Sequence, residues 1–297
     1  MARCYSSEMS LSEFIYTVLL KPKPLRRVAN AFLKALLPKA TKVNGATIFL
    51  NPSDPVISGA VLFGVYEHWE LDFFSSNYRP DSVFVDVGAN VGLYTGLALS
   101  RSDSRSTVLC IEPHEESRIF LGQTIKENLR KNEPAKVVVC PVAASDRGGQ
   151  RTLYQNLENK GDNRLHADTL CLGRSTIETE TLDSICARNG ISRIDFLKMD
   201  VQGHEGLVVR GATAVLAASE QCLLMFEFWP QGLSQAGSAP EQFLGALDAA
   251  GFKLYSPKSG RLVPIKDLHQ AVHKNPGRVY ANLVALKGIS PGDLHVP

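Results

Sequence analysis

Apolar positions along most of the chain follow two alternating periods. Short runs that are apolar at nearly every position occur at VFVDVG (83–88), TVLCIE (107–112), VVVCPVA (137–143), IDFLKMDV (194–201) and CLLMFEF (222–228). Runs of this kind read as parallel strands covered on both faces. Between them, segments 92–100, 114–131, 204–218 and 240–250 carry apolar residues at helical spacing. The second of these is predicted to open at Pro113, whose ring suits a first helical turn. This alternation predicts the α/β class, with a doubly wound, Rossmann-like sheet. Two segments depart from it. Residues 146–181 are polar and rich in turn formers, predicting an inserted hairpin or loop near the strand ends. FKLYS (252–256) and VYANLVALK (279–287) have no convincing helix between them and predict an antiparallel hairpin on the sheet edge.

The first 42 residues have a different pattern. In LRRVANAFLKALL (25–37), Leu25, Val28, Ala29, Phe32, Leu33, Leu36 and Leu37 share one helical face, with Arg26, Arg27 and Lys34 opposite. Residues 1–42 hold eight Lys/Arg and two Glu, a net +6 in a chain whose total is +2. Two readings stand: a helix packed on the main domain as a cap, or a basic amphipathic helix at 21–42 on the inner face of an anionic membrane. The expected organisation is an extension (1–42), a cap segment (43–80) and a main domain (81–297) carrying the insertion 146–181.

Composition narrows the class. A chain of 297 residues with 44% hydrophobic and 21% charged residues has enough apolar material for a full core. No apolar run approaches the roughly 18 residues that span a bilayer. Glu8 and Glu13 fall where a signal peptide would be apolar, so a cytoplasmic protein is expected. Cys4, Cys110, Cys140, Cys171, Cys186 and Cys222 show no C-x-x-C spacing, which argues against a zinc or redox site. Cys110, Cys140 and Cys222 sit in apolar runs and read as core residues.

The chemistry-bearing residues lie at the ends of the predicted strands. In VFVDVGANVGLYTG (83–96) the order is D-x-G-x-N-x-G, formed by Asp86, Gly88, Asn90 and Gly92. The dinucleotide pattern is G-x-G-x-x-G, and here Asn90 replaces its second glycine. An acid and an amide suit an amino-bearing cation better than a pyrophosphate, and S-adenosylmethionine has a sulfonium, an ammonium and no phosphate. Glu112 ends the next strand, where a carboxylate can accept hydrogen bonds from ribose hydroxyls in either cofactor class. NAD(P) and a purely structural turn therefore remain open at this point. A second dense stretch, FLKMDVQGHEGLVVRGA (196–212), places Lys198 and Asp200 on a buried strand, with His204 and Glu205 opening a helix. Charges in an apolar strand are costly unless paired. Lys198 is expected to pair with a nearby acid and His204 reads equally as a surface residue. Glu205 reads equally as a helix cap. Asp200, Glu205 and Glu227 at adjacent strand ends have the chemistry to activate a nucleophile or hold a divalent cation.

As a set, NPSDPVISGAVLFGVYE, VFVDVGANVGLYTG, CIEP, VAASD, GDNRL, TLDSI, FLKMDVQGHE and LLMFE resemble the FkbM family of S-adenosylmethionine-dependent methyltransferases, over roughly residues 45–287. The resemblance implies a seven-stranded, mostly parallel sheet with a C-terminal antiparallel hairpin. It implies S-adenosylmethionine as cofactor, with Asp86, Gly88, Asn90 and Gly92 as its loop and Glu112 followed by Pro113 at the ribose. Val142, Ala143 and Ala144 would lie at the adenine. Asp200, which also borders the cofactor, Glu205, His204 and Glu227 are the catalytic candidates, and Asn163 and Arg164 the substrate candidates. Gln202 departs from a glutamate common in the family, which leaves metal dependence undecided. The expected reaction is O-methylation of a small-molecule or glycan hydroxyl. The alternatives are an NAD(P)-dependent oxidoreductase or epimerase and a non-enzymatic S-adenosylmethionine-binding protein. Nucleic acid is not an expected partner: no amino-methylase motif follows the fourth strand, and no basic stripe faces the predicted cleft.

Overall fold

The computed structural model describes residues 36–129, 134–156, 163–166, 173–258, 260–267 and 280–297. The amphipathic stretch 25–37 and the proposed membrane segment 21–42 therefore lie largely outside the described residues, as do Cys4 and Cys171.

The described chain begins with a hairpin of β1 (Ala40–Val43) and β2 (Ala46–Phe49), then α1 (Pro55–Leu62) and α2 (His68–Asn77). The sheet strands follow, with helices between: β3 (Val83–Val87), α3 (Leu93–Leu99), β4 (Thr107–Ile111), α4 (Glu115–Asn128) and β5 (Lys136–Cys140). A small three-stranded sheet comes next, from β6 (Ala143–Ser145), β7 (Gly149–Gln155) and β8 (Gly173–Thr181). The chain returns through α5 (Leu182–Arg188), β9 (Phe196–Met199), α6 (Glu205–Arg210), α7 (Thr213–Ala218) and β10 (Cys222–Phe228). It continues through α8 (Pro230–Gln235), α9 (Pro240–Ala249), β11 (Lys253–Lys258), β12 (Arg261–Pro264) and β13 (Ala281–Lys287).

The large sheet runs β12-β11-β13-β10-β9-β3-β4-β5. The five strands from β10 to β5 are parallel, and β13 is antiparallel to both of its neighbours. Side chains alternate between two cores, as the two-residue period of a strand requires. Val85, Leu109, Leu197, Met199, Leu224 and Phe226 face α5 to α9. Phe84, Val108, Cys110, Phe196, Leu223 and Met225 face β2 and α1 to α4. Phe74 anchors the second core, with ring contacts to Tyr78, Phe84, Tyr94 and Phe196.

The α/β, Rossmann-like class holds, while the seven-stranded arrangement needs correction. Eight strands form this sheet among the described residues. β11 and β13 pair antiparallel at one end of the sheet, as 252–256 and 279–287 predict, with β13 as the inner strand against β10 and β12 as an additional strand outside β11. Leu283 and Ala285 of β13 face one core and Val284 and Leu286 the other, so this strand is covered on both faces. The predicted helix 204–218 is two helices. They part at Gly211, which packs against the Ser145 carbonyl so closely that a Cβ there would collide with it. The helix expected at Pro113 starts at Glu115, with His114 as its N-cap. No helix of the described residues is long and apolar enough to cross a membrane.

Candidate functional site

Strand order reverses between β3 and β9, since β4 and β5 extend to one side and β10 to the other. At such a switch point the loops leaving the strand ends part and open a cleft. Asp86 and Lys198 are register partners across it. Gly88, Asn90, Glu112, Pro113, Ala143, Ala144, Asp200 and His204 line the same cleft. Gly88 has φ +82, and a Cβ there would strike the Asp200 carbonyl oxygen. The β3 and β9 loops thus touch backbone to backbone. Asn90 also has positive φ, a conformation its short polar side chain tolerates.

Burial governs the acids. Asp86 is 2% exposed, and the Thr95 hydroxyl donates to its Oδ2 at 2.7 Å. Burial raises its pKa to about 6, against the lowering effect of the Thr95 bond and the Lys198 ammonium. Both oxygens of Glu112 accept backbone N–H groups, from Asn90 and His114, each at 2.8 Å. Burial still lifts its pKa to about 7. These two bonds clamp Glu112 to the glycine loop, and each oxygen keeps a second lone pair for a ligand.

Beside them is a group that sequence patterning did not assemble. Glu67 sits in the left-handed region (φ 43) at the head of α2. Its Oε2 accepts the Tyr94 hydroxyl at 2.6 Å and lies 3.7 Å from Lys198 Nζ. The Lys198 ammonium also stands 5.0 Å over the Tyr94 ring. The surrounding acids, Glu67 and Asp200 foremost, more than offset the burial that would lower the Lys198 pKa, so its value is raised. Glu67 and Tyr94 fall inside the segments NPSDPVISGAVLFGVYE and VFVDVGANVGLYTG, but only tertiary contact between the head of α2, α3 and β9 brings them to Lys198. The only hint was the burial of Lys198, which demanded an acid.

Asp200 follows the last residue of β9 and is partly exposed to the cleft. The Gln202 amide donates to Asp200 Oδ1 at 2.8 Å and reaches Glu227 Oε2 at 3.5 Å. A neutral donor here separates two acids that would repel. Burial, followed by the charges of Asp200 and Glu205, raises the Glu227 pKa well above its ordinary value.

The methyltransferase FkbM domain matches residues 86–254, more than half of the chain. The chain belongs to this family. Among curated relatives, this FkbM-domain chain is 27% identical over 237 residues to the AMB antimetabolite synthetase AmbE of Pseudomonas aeruginosa, covering 66% of the chain and 10% of the relative. It is 26% identical over 153 residues to the 2-O-methyltransferase NoeI of Sinorhizobium fredii, covering 46% of the chain and 60% of the relative. The chain thus spans a tenth and three-fifths of these relatives' lengths. Methyltransferase FkbM from Methylobacillus flagellatus is a solved structure with TM-score 0.43 and 13% identity, covering 90% of this chain and 60% of that one.

Several residues of this FkbM domain lie elsewhere than the motifs suggested. Gly92 does not line the cleft. It is the left-handed N-cap of α3, and its missing Cβ admits Leu121 Cδ1, which would lie at 2.7 Å. Val142 belongs to the core under α5 to α9. The Arg164 guanidinium stacks 4.6 Å over the Trp229 ring, while Asn163 does line the cleft. Glu205 is fully buried outside the cleft wall; its Oε1 accepts the Val201 N–H at 3.0 Å, bracing the 200–204 loop. Glu227 is likewise absent from the cleft lining and pairs in register with Asn282. His204 is 1% exposed and is no surface residue. No group of three or more His, Cys, Asp or Glu among the described residues is arranged to hold a metal ion.

The raised carboxyls have a consequence for stability. Glu112 and Glu205 are both shifted by burial from 4.5 to about 7. The folded state therefore holds their protons more tightly than the unfolded chain does. Their contribution is fully present below the unfolded value and is lost as pH rises through 7. His204, lowered by burial to about 3, acts in the opposite sense only below its ordinary 6.5. Between pH 8 and 6.5 the ligand-free protein should gain on the order of 1 kcal/mol on acidification. Thermal midpoints measured across that interval check this, and a midpoint that falls on acidification contradicts it.

Proposed function

We propose that the chain is an S-adenosylmethionine-dependent methyltransferase that O-methylates a hydroxyl of a sugar, glycolipid or small natural product. One observation carries this reading: a glycine loop flanked by two buried acids, Asp86 and Glu112, opens into the same cleft as Asp200. Asp86 beside the loop favours a cationic ligand over a pyrophosphate, while Glu112 suits the ribose of either cofactor class. Family membership supports the reaction class, and the 2-O-methyltransferase name of the Sinorhizobium relative supports a hydroxyl acceptor.

The residues present fit the methyl donor. Gly88 lets the glycine loop close against the Asp200 backbone, Asp86 borders the cationic end while Glu67 balances the Lys198 ammonium, and Glu112 offers lone pairs to the ribose hydroxyls. Ala143 and Ala144 give a flat apolar wall for the adenine. The bound donor supplies an electrophilic methyl group on sulfur. The protein aligns the acceptor oxygen with it and excludes water. Asp200 takes the hydroxyl proton, because it is the cleft carboxylate at the strand end that is neither buried nor clamped by backbone N–H groups. Tyr66 and Glu67 also border the cleft.

The first test is calorimetric. Adenosylhomocysteine at 100 times its Kd should stabilise the protein by about 2.7 kcal/mol, and NAD should leave the melting curve unchanged. Stabilisation by NAD alone would overturn the reading in favour of a dinucleotide enzyme.

A further inference from the structure

The cleft contains a buried imidazole whose hydrogen-bonding roles can be worked out completely. His204 is 1% exposed and lines the cleft beside Ala143 and Ala144. Its Nε2 lies 3.1 Å from Ser145 Oγ. The Ser145 hydroxyl has one proton, and it donates that proton to Asp146 Oδ1 at 3.1 Å. The Asp146 carboxylate also faces the Arg151 and Arg210 guanidiniums, at 3.4 and 3.8 Å. Ser145 Oγ is therefore the acceptor toward the histidine, and Nε2 carries a proton. In a neutral imidazole that leaves Nδ1 as a bare lone pair. Burial, reinforced by Arg151, lowers the His204 pKa to about 3, so the ring is neutral at physiological pH. Nδ1 is buried and has no partner.

A buried acceptor without a donor is a standing cost, which a ligand relieves by bringing an N–H or O–H. The neighbouring walls indicate the ligand part. Ala143 and Ala144 belong to β6, whose next residue is Ser145, and Leu153 and Leu165 complete an apolar surround. Such a slot suits a planar heterocycle edged by a donor, rather than a polyhydroxyl acceptor. We infer that His204 reads the exocyclic amino group of the donor's adenine through Nδ1, with Ser145 and Asp146 fixing the ring's tautomer. This rests on the methyl-donor reading and makes His204 a specificity residue for that donor, in place of the catalytic role its sequence position suggested.

The test compares two ligands on the full chain by titration calorimetry: S-adenosylhomocysteine and S-inosylhomocysteine. In the second, a carbonyl oxygen replaces the amino group and would face the Nδ1 lone pair. The native protein should bind the adenosyl compound about 10- to 100-fold more tightly. His204→Leu should narrow that gap to within about threefold, mainly by weakening the adenosyl compound. Ser145→Ala frees the tautomer without touching the ring, and should narrow the gap as well. This second variant keeps the question decidable if His204→Leu fails to fold. Equal affinities in the native protein, or an undiminished gap in the folded variants, would overturn the inference. Absence of binding by either ligand would instead refute the methyl-donor reading, and this inference with it.

Discussion

Gly88→Ala is expected to abolish binding of adenosylhomocysteine and to destabilise the fold by about 3 kcal/mol or more. Two costs combine. Holding alanine in the left-handed region costs roughly 1–2 kcal/mol. The new methyl group would also run into the Asp200 carbonyl oxygen, which belongs to backbone and cannot rotate away. Relief requires separating the β3 and β9 loops, whose approach shapes the cleft. Gly64 provides the comparison: its φ is +65 and nothing lies within 4 Å of its absent Cβ. Gly64→Ala should cost only the conformational part, about 1 kcal/mol, and leave ligand binding intact. Denaturant melts and calorimetry on the two variants separate strain from collision. If both variants behave alike, the close approach at Gly88 is not what matters.

Asp200→Asn should lower methyl transfer by about 10²- to 10⁴-fold, the usual contribution of a positioned general base. Adenosylhomocysteine affinity should change by less than about threefold, since an asparagine oxygen can still accept the Gln202 amide and the packing is conserved. The readout is transfer of labelled methyl from the donor into a cell extract, followed by isolation of the labelled product. That product also identifies the acceptor. Unimpaired transfer would remove Asp200 from the mechanism. Loss of donor affinity together with transfer would make Asp200 a donor contact instead.

Legibility varied with how local the determining physics was. CLLMFEF was readable to the residue as Cys222–Phe228, because a seven-residue run apolar on both faces is too short for a buried helix and suits a covered parallel strand. The glycine loop and Glu112 were readable because positive φ and strand ends leave local marks. The antiparallel pairing of 252–256 with 279–287 was readable, but the extra strand β12 was not, since RLVP (261–264) is too short and mixed to mark a strand by itself. Nor was the role of Glu67: a glutamate after Val65 and Tyr66 carries no sign that it will meet Lys198, over a hundred positions later. His204 illustrates a third case. Its neighbours in sequence look like an ordinary helix start, and what sets its chemistry is a serine 59 residues earlier.

The interior place of β13 bears on how the chain is made. Ribosomal synthesis delivers β10 well before residues 281–287, yet β10 pairs with β13 along its full length, from Cys222 with Lys287 to Phe228 with Ala281. Until that partner emerges, one edge of β10 has no strand to bond with, and β11 has no place in the sheet. An open apolar edge invites pairing with other chains. The growing sheet therefore keeps one edge of β10 open until residues 281–287 emerge, as it keeps one edge of β3 open until β9 does.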